Sequence, residues 1–158
     1  MKKLLLLLLS AFVSTVLFSQ AQQIKIVSFT VKNQLPAVID SWNNVPGSVL
    51  LVAQMNPGVR IDGLRLMIQI KSNSAVVCSN SSAGGIPVDN FTTRTFSANE
   101  LTGALAACKE LKDGSYTICA QFFDGGRKEV SNEICKQFTV EIPKATDYAP
   151  PALITPDN

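Results

Sequence analysis

The residues best able to do chemistry in this 158-residue chain are Cys78, Cys108, Cys119 and Cys135, and two outcomes are open to them. Thiolates hold a structural metal when they cluster at C-x₂₋₄-C spacing or share the ion with histidines. Here the separations are 30, 11 and 16 residues and the chain has no histidine, so no metal site is expected. In an oxidising compartment an even number of cysteines forms disulfides instead, and two bridges are expected. Without histidine, a serine or cysteine nucleophile lacks its usual base. No S-x-x-K motif supplies a lysine in its place in the chain after residue 21. The carboxylates are scattered rather than paired across a cleft, as glycoside hydrolysis requires. Asp62, Asp113 and Asp124 each precede a glycine and read as turn formers. No catalytic residue, cofactor or enzymatic activity is therefore expected.

Two features could support binding. Ile39-Asp40-Ser41-Trp42-Asn43-Asn44 sets the only tryptophan among polar residues. Trp42 with Asn43 and Asn44 is a possible ligand contact, the indole stacking on a sugar; the preferred reading is a Trp that closes one end of a β-sandwich. Asn80-Ser81-Ser82 and Asn90-Phe91-Thr92 match the N-glycosylation acceptor pattern, and both are read as polar surface loop.

The compartment follows from the first twenty-one residues. Lys2 and Lys3 precede an apolar stretch from Leu4 to Phe18, and Ser19-Gln20-Ala21 is a small-x-small cleavage site. The apolar run is short for a bilayer span of about 20 residues and is followed at once by Gln20, Gln22 and Gln23. Residues 1–21 are read as a removable signal peptide, leaving 137 of the 158 residues and no transmembrane segment. Of 14 basic residues two leave with the signal, so the mature chain carries 12 of each sign. No basic run remains to neutralise phosphates, and neither nucleic acid nor anionic lipid is expected as a partner. The expected location is the periplasm, the outer membrane or the surface of a bacterial cell.

The elements that must carry these residues read as strands. Ile24–Lys32 and Ser48–Gln54 are β-branched, apolar runs, the second ended by Asn56-Pro57-Gly58. Between Leu64 and Lys71, Leu64, Leu66, Ile68 and Ile70 share one face and Arg65, Met67, Gln69 and Lys71 the other, the pattern of a half-buried antiparallel strand. Asn73–Val88 is expected to be mostly loop, with an extended piece at Ala75–Cys78. A short strand at Thr92–Phe96 leads to a capping box, Ser97-Ala98-Asn99-Glu100. A brief helix carrying Leu101, Leu105 and Ala106 follows, ending near Cys108 to Leu111.

Ser115–Phe123 and Glu129–Val140 form a hairpin through Asp124-Gly125-Gly126-Arg127-Lys128. If Cys119 lies opposite Cys135, Ala120 faces Ile134 and Gln121 faces Glu133. Tyr116, Ile118, Ala120 and Phe122 then point the same way as Ile134, Phe138 and Val140. Core pattern and disulfide agree on that register, and closely opposed antiparallel residues are near enough to bridge. Cys78 with Cys108 follows by elimination. After Val140, Pro143, Pro150, Pro151 and Pro156 mark residues 143–158 as an extended linker and the start of a possible next domain.

Leu111-Lys112-Asp113-Gly114-Ser115-Tyr116 resembles the L-x-x-G-x-Y start of a core strand in Ig-like and fibronectin type III-like domains, where the Tyr locks the corner. Tyr116 and Cys119 are three apart, not two as in immunoglobulins, which suits a bridge within one hairpin rather than between sheets. The longer pattern from Phe96 to Asp157, with Val130-Ser131-Asn132-Glu133-Ile134-Cys135 and Pro150-Pro151-Ala152-Leu153-Ile154-Thr155-Pro156-Asp157, is similar to TANFOR-type N-terminal domains of exported bacterial surface proteins. That resemblance implies a non-catalytic structural or adhesive module, linked to a secretion apparatus, with other envelope or surface proteins as partners. The alternatives are a carbohydrate- or ligand-binding module with a glycan partner and a small secreted inhibitor. The expected fold is an all-β, Ig-like antiparallel sandwich over residues 22–142 with one short helix.

Overall fold

The computed structural model describes residues 22–142; the proposed signal segment and the proline-rich tail lie outside the described residues. Nine strands form two sheets: β1 (Ile24–Val31), β2 (Gln34–Leu35), β3 (Val49–Met55), β4 (Arg65–Ser72), β5 (Ala75–Ser79), β6 (Ile86–Pro87), β7 (Thr93–Phe96), β8 (Gly114–Phe123) and β9 (Ile134–Val140). The smaller sheet has the order β1-β3-β7. The larger has the order β2-β9-β8-β4-β5, with β6 on the β5 side of β4. All pairs are antiparallel except β2 with β9. In immunoglobulin lettering β1, β3 and β7 take positions A, B and E, and β9, β8, β4 and β5 take G, F, C and C′.

Alternation decides which side chains fill the space between the sheets. Leu66, Ile68 and Ile70 of β4 and Ile118, Ala120 and Phe122 of β8 are buried against Val49, Leu51, Ala53 and Met55 of β3. In β1 the parity changes partway: Ile24 and Ile26 point inward, then Phe29 and Val31. The β1–β3 register slips by one between Ile26 and Ser28, a bulge that leaves Val27 53% exposed and returns Phe29 to the core. The β4–β5 turn is a two-residue mirror-type turn, with Asn73 and Ser74 both at positive φ.

The hairpin register has Cys119 opposite Cys135 and Ala120 opposite Ile134, as expected, but the ladder ends there and Gln121 does not pair with Glu133; the expected disulfides Cys119–Cys135 and Cys78–Cys108 are both present. The Tyr116 hydroxyl donates to the Lys112 carbonyl at 2.9 Å, which fastens the corner leading into β8. The capping box is complete: Ser97 Oγ accepts from the Glu100 amide and Glu100 Oε2 accepts from the Ser97 amide at 3.0 Å. Its helix, α1 (Ala98–Gly103), is shorter than expected. Gly103 is a poor helix residue, and beyond it the chain tightens into three-residue turns through Leu105 and Cys108. Leu105 still reaches the core, but Ala106 is exposed and the buried partner in its place is Thr102.

Two other expectations need correction. The far hairpin strand begins at Ile134, not Glu129, because Val130 turns into the core and its carbonyl accepts from the amides of Gln23 and Ile24, tying the hairpin to β1. The segment 73–88 holds more structure than a loop, since β5, a 3-10 turn (Ser81–Ala83) and β6 all lie within it.

Candidate functional site

Trp42 lies in a 3-10 helix (Ile39–Asn44) that closes one end of the sandwich. It is 0% exposed, donates from Nε1 to the Pro36 carbonyl at 2.8 Å, and meets Phe138 edge-on at 5.4 Å. No ring face is free for a sugar, so Trp42 is withdrawn as a ligand contact. Asn43 accepts from Thr102 Oγ1 at 2.9 Å, tying this turn to α1, and Asn44 is exposed. The surface-loop reading of the first sequon is also corrected. Asn80 is 2% exposed; its Oδ1 accepts from the Ile68 amide at 2.9 Å and its Nδ2 donates to the Leu66 carbonyl at 3.1 Å. Asn90 bonds both backbone groups of Ile61 in the same manner but lies exposed in a loop, as expected. The Asn80 side chain finishes the ladder of β4 where the chain departs from β5.

The outer face of the larger sheet carries the clefts described below, and its rows follow from the register. Arg65 of β4 sits beside Phe123 of β8, and Met67 beside Gln121. Gln69 sits beside Cys119, which faces Cys135 of β9, and Lys71 beside Thr117, which faces Gln137. At the centre Glu133 Oε1 accepts from Gln69 Nε2 at 2.6 Å and from Lys71 Nζ at 3.0 Å, a bridge that leans over the Cys119–Cys135 disulfide. The carboxylate and the two sulfurs lie within 4.8 Å of one another. Those sulfurs are bonded to each other and hold no lone thiolate for a metal.

Three clefts open along this face. One of about 510 Å³ is lined by Lys71, Asn73, Ser74, Thr117, Gln137 and Thr139. A second of about 350 Å³ lies over Gln69, Gln121 and Glu133 beside the disulfide. A third of about 410 Å³ lies at the far end, between Arg65, Met67, Phe123 and Arg127. The alternation of β4 already separates Arg65, Met67, Gln69 and Lys71 from the core. The meeting of Gln69 and Lys71 with Glu133 depends on β4 pairing with β8, which nothing local in either strand specifies.

Off this face, Glu100 has its carboxyl held below the usual carboxylate range. The Ser97 amide is the main cause, opposed by partial burial and helped by Arg94 at 3.0 Å and the Ser97 hydroxyl. These are the contacts of a helix cap rather than of a proton-transfer site.

Fold and face together define a disulfide-stapled, immunoglobulin-like β-sandwich whose larger sheet turns outward a mainly polar face that also carries Met67, Val76 and Phe123. No known protein family and no curated protein matches the chain. Among solved structures, the crystal structure of CopC from Methylosinus trichosporium OB3b aligns at 16% identity with a TM-score of 0.34, over 75% of this chain and 93% of CopC. The fold class rests on the strand order and register described above.

Proposed function

We propose that this chain is a non-catalytic structural or adhesive module of an exported bacterial cell-envelope or surface protein, and that the outer face of the β9-β8-β4-β5 sheet receives a partner protein. The observation that carries the reading is the continuity of that face. Polar side chains at regular strand spacing, braced by the Gln69–Glu133–Lys71 bridge and a disulfide, line a run of clefts on rigid backbone. A surface fixed before the partner arrives loses little entropy on binding. The amino-terminal segment and two disulfides support export. The resemblance of the Phe96–Asp157 stretch to TANFOR-type domains supports an envelope or surface setting. A chain with no histidine and with all four cysteines bonded supports a non-catalytic role.

Affinity capture from envelope extracts of the producing cells tests the proposal. The disulfide-bonded chain is expected to retain one envelope protein, and Gln69→Arg with Gln137→Glu to lose it without loss of thermal stability. Retention indifferent to both substitutions, or retention of glycan alone on an array, contradicts the reading.

A further inference from the structure

We infer that the cleft between Arg65 and Arg127 binds a peptide carboxylate carried beside an apolar side chain, an inference that rests on the outer face being the partner face. Arg65 on β4 and Phe123 on β8 are direct cross-strand neighbours at one end of that face, and Met67 lies two residues along the same strand face. The turn after β8 brings Arg127 over them, enclosing about 410 Å³, a size that suits a small ligand or one or two peptide residues.

The charges favour an anion. Neither Arg65 nor Arg127 forms an ion pair among the described residues, where the pairs are Lys71–Glu133 and Arg94–Glu100. The acid lining this cleft, Asp124, spends one carboxylate oxygen on its own turn, accepting from the amides of Gly126 at 2.9 Å and Lys128 at 2.8 Å. Arg65 is steadied by donating from Nη1 to the Gly84 carbonyl at 3.1 Å. Its other N–H groups are left to meet a planar carboxylate, the geometry in which a guanidinium binds best.

Shape points the same way. Gly85 packs so closely that a Cβ there would come 2.6 Å from Met67 Sδ, which presses the 84–85 loop against the apolar floor. Arg127 is held at φ 65°, a backbone conformation that glycine adopts without strain. The two glycines just before it are both at negative φ, so the turn keeps an arginine where glycine would fit better. Strain retained at a residue that lines a cleft is accounted for when its side chain is needed there. A thioether and a phenyl ring beside two guanidiniums complement an apolar residue next to a carboxylate. A uronic acid would instead need several side-chain partners for its hydroxyls, and besides Asp124, which is partly spent on its own turn, Ser81 is the one uncharged polar side chain in the lining.

NMR titration of the disulfide-bonded chain tests this with four probes: acetyl-Ala-Leu-Phe with a free carboxylate, its C-terminal amide, acetyl-Glu-Leu-amide and glucuronate. Saturable shifts of the Met67 methyl and of the Arg65 and Arg127 side-chain N–H signals are expected with a carboxylate peptide. The neutral amide and the Arg127→Gly variant should each bind at least about tenfold more weakly, the loss of a charge-assisted contact. The first and third probes distinguish a peptide terminus from an acidic side chain. Equal binding of the neutral amide, equal binding of glucuronate, or no saturable shift overturns the assignment. Cross-linking at Gln69 in producing cells separates the two readings. Adducts there without peptide binding sink the cleft alone, and peptide binding without adducts sinks the partner face alone.

Discussion

Asn80 stands in for a strand residue. Its side-chain amide bonds the backbone of Ile68 and Leu66 where β5 has ended and β6 has not begun, so the edge of β4 stays satisfied while the chain loops away. In Asn80→Ala two buried backbone groups lose their partners, each worth about 1–3 kcal/mol. A loss of about 3 kcal/mol in urea denaturation is expected, with Asn80→Asp also destabilising because a carboxylate cannot donate to Leu66. Arg127→Gly should act in the opposite direction. Relief of a left-handed backbone is worth about 1–2 kcal/mol, and the added freedom of glycine when unfolded offsets part of it. A net gain of about 0.5–1 kcal/mol by the same measurement is expected. Glu100 gives a pH signature. Its folded pKa lies below the ordinary 4.5, so its contribution is complete above 4.5 and disappears as pH falls through the folded value. The stability difference between the native chain and Glu100→Gln should therefore be constant at neutral pH and shrink in acid. Two of these roles are not visible as residue types: a sequon and a turn arginine look ordinary until their backbone partners are known. The exception is the Glu100 cap, whose partner is three residues away and therefore legible.

The two disulfides do different things to the elements they join. Cys119–Cys135 ties strands that a hydrogen-bonded ladder already aligns, with Cα atoms 4.1 Å apart. Cys78–Cys108 ties the edge strand β5 to the crossing that follows α1, two elements with no shared ladder, across a separation of 30 residues against 16. Loop length alone makes the second bridge about 0.5 kcal/mol more stabilising on the chain-entropy account, and each bridge is worth about 2–4 kcal/mol. Replacing Cys78 and Cys108 with alanine should lower the melting temperature more than replacing Cys119 and Cys135, and hydrogen exchange should quicken first in β5. The hairpin was legible because period-two alternation and cysteine position independently imposed one register. Strand β4 was legible from alternation alone, and β3 and β7 from strand-forming composition beside turn or cap signals, within a residue or two at their ends. The bulge at Val27 was not, since a parity change is a property of the pair β1–β3. Strand β2 and the 3-10 helix at Trp42 carry no local period; they form because the sandwich must be closed at that end.

At the scale of the molecule, one sheet of the sandwich is short and the other broad, and the broad one turns a braced, polar, cleft-bearing face outward. The sequence alternation of β4 marked that face as solvent-facing. Its extent came only with the strand order, which joins residues about fifty apart in the chain. Among the described residues no helix is long and apolar enough to cross a membrane. Non-covalent contacts that hold such a module should be concentrated on the broad face. The most direct test places a photo-crosslinking amino acid at Gln69, at the centre of that face, and at Leu50, on the outer side of the smaller sheet, in the producing cells. A discrete protein adduct at Gln69 and none at Leu50 is the expected result; an adduct at Leu50 alone, or none at either position, contradicts the account.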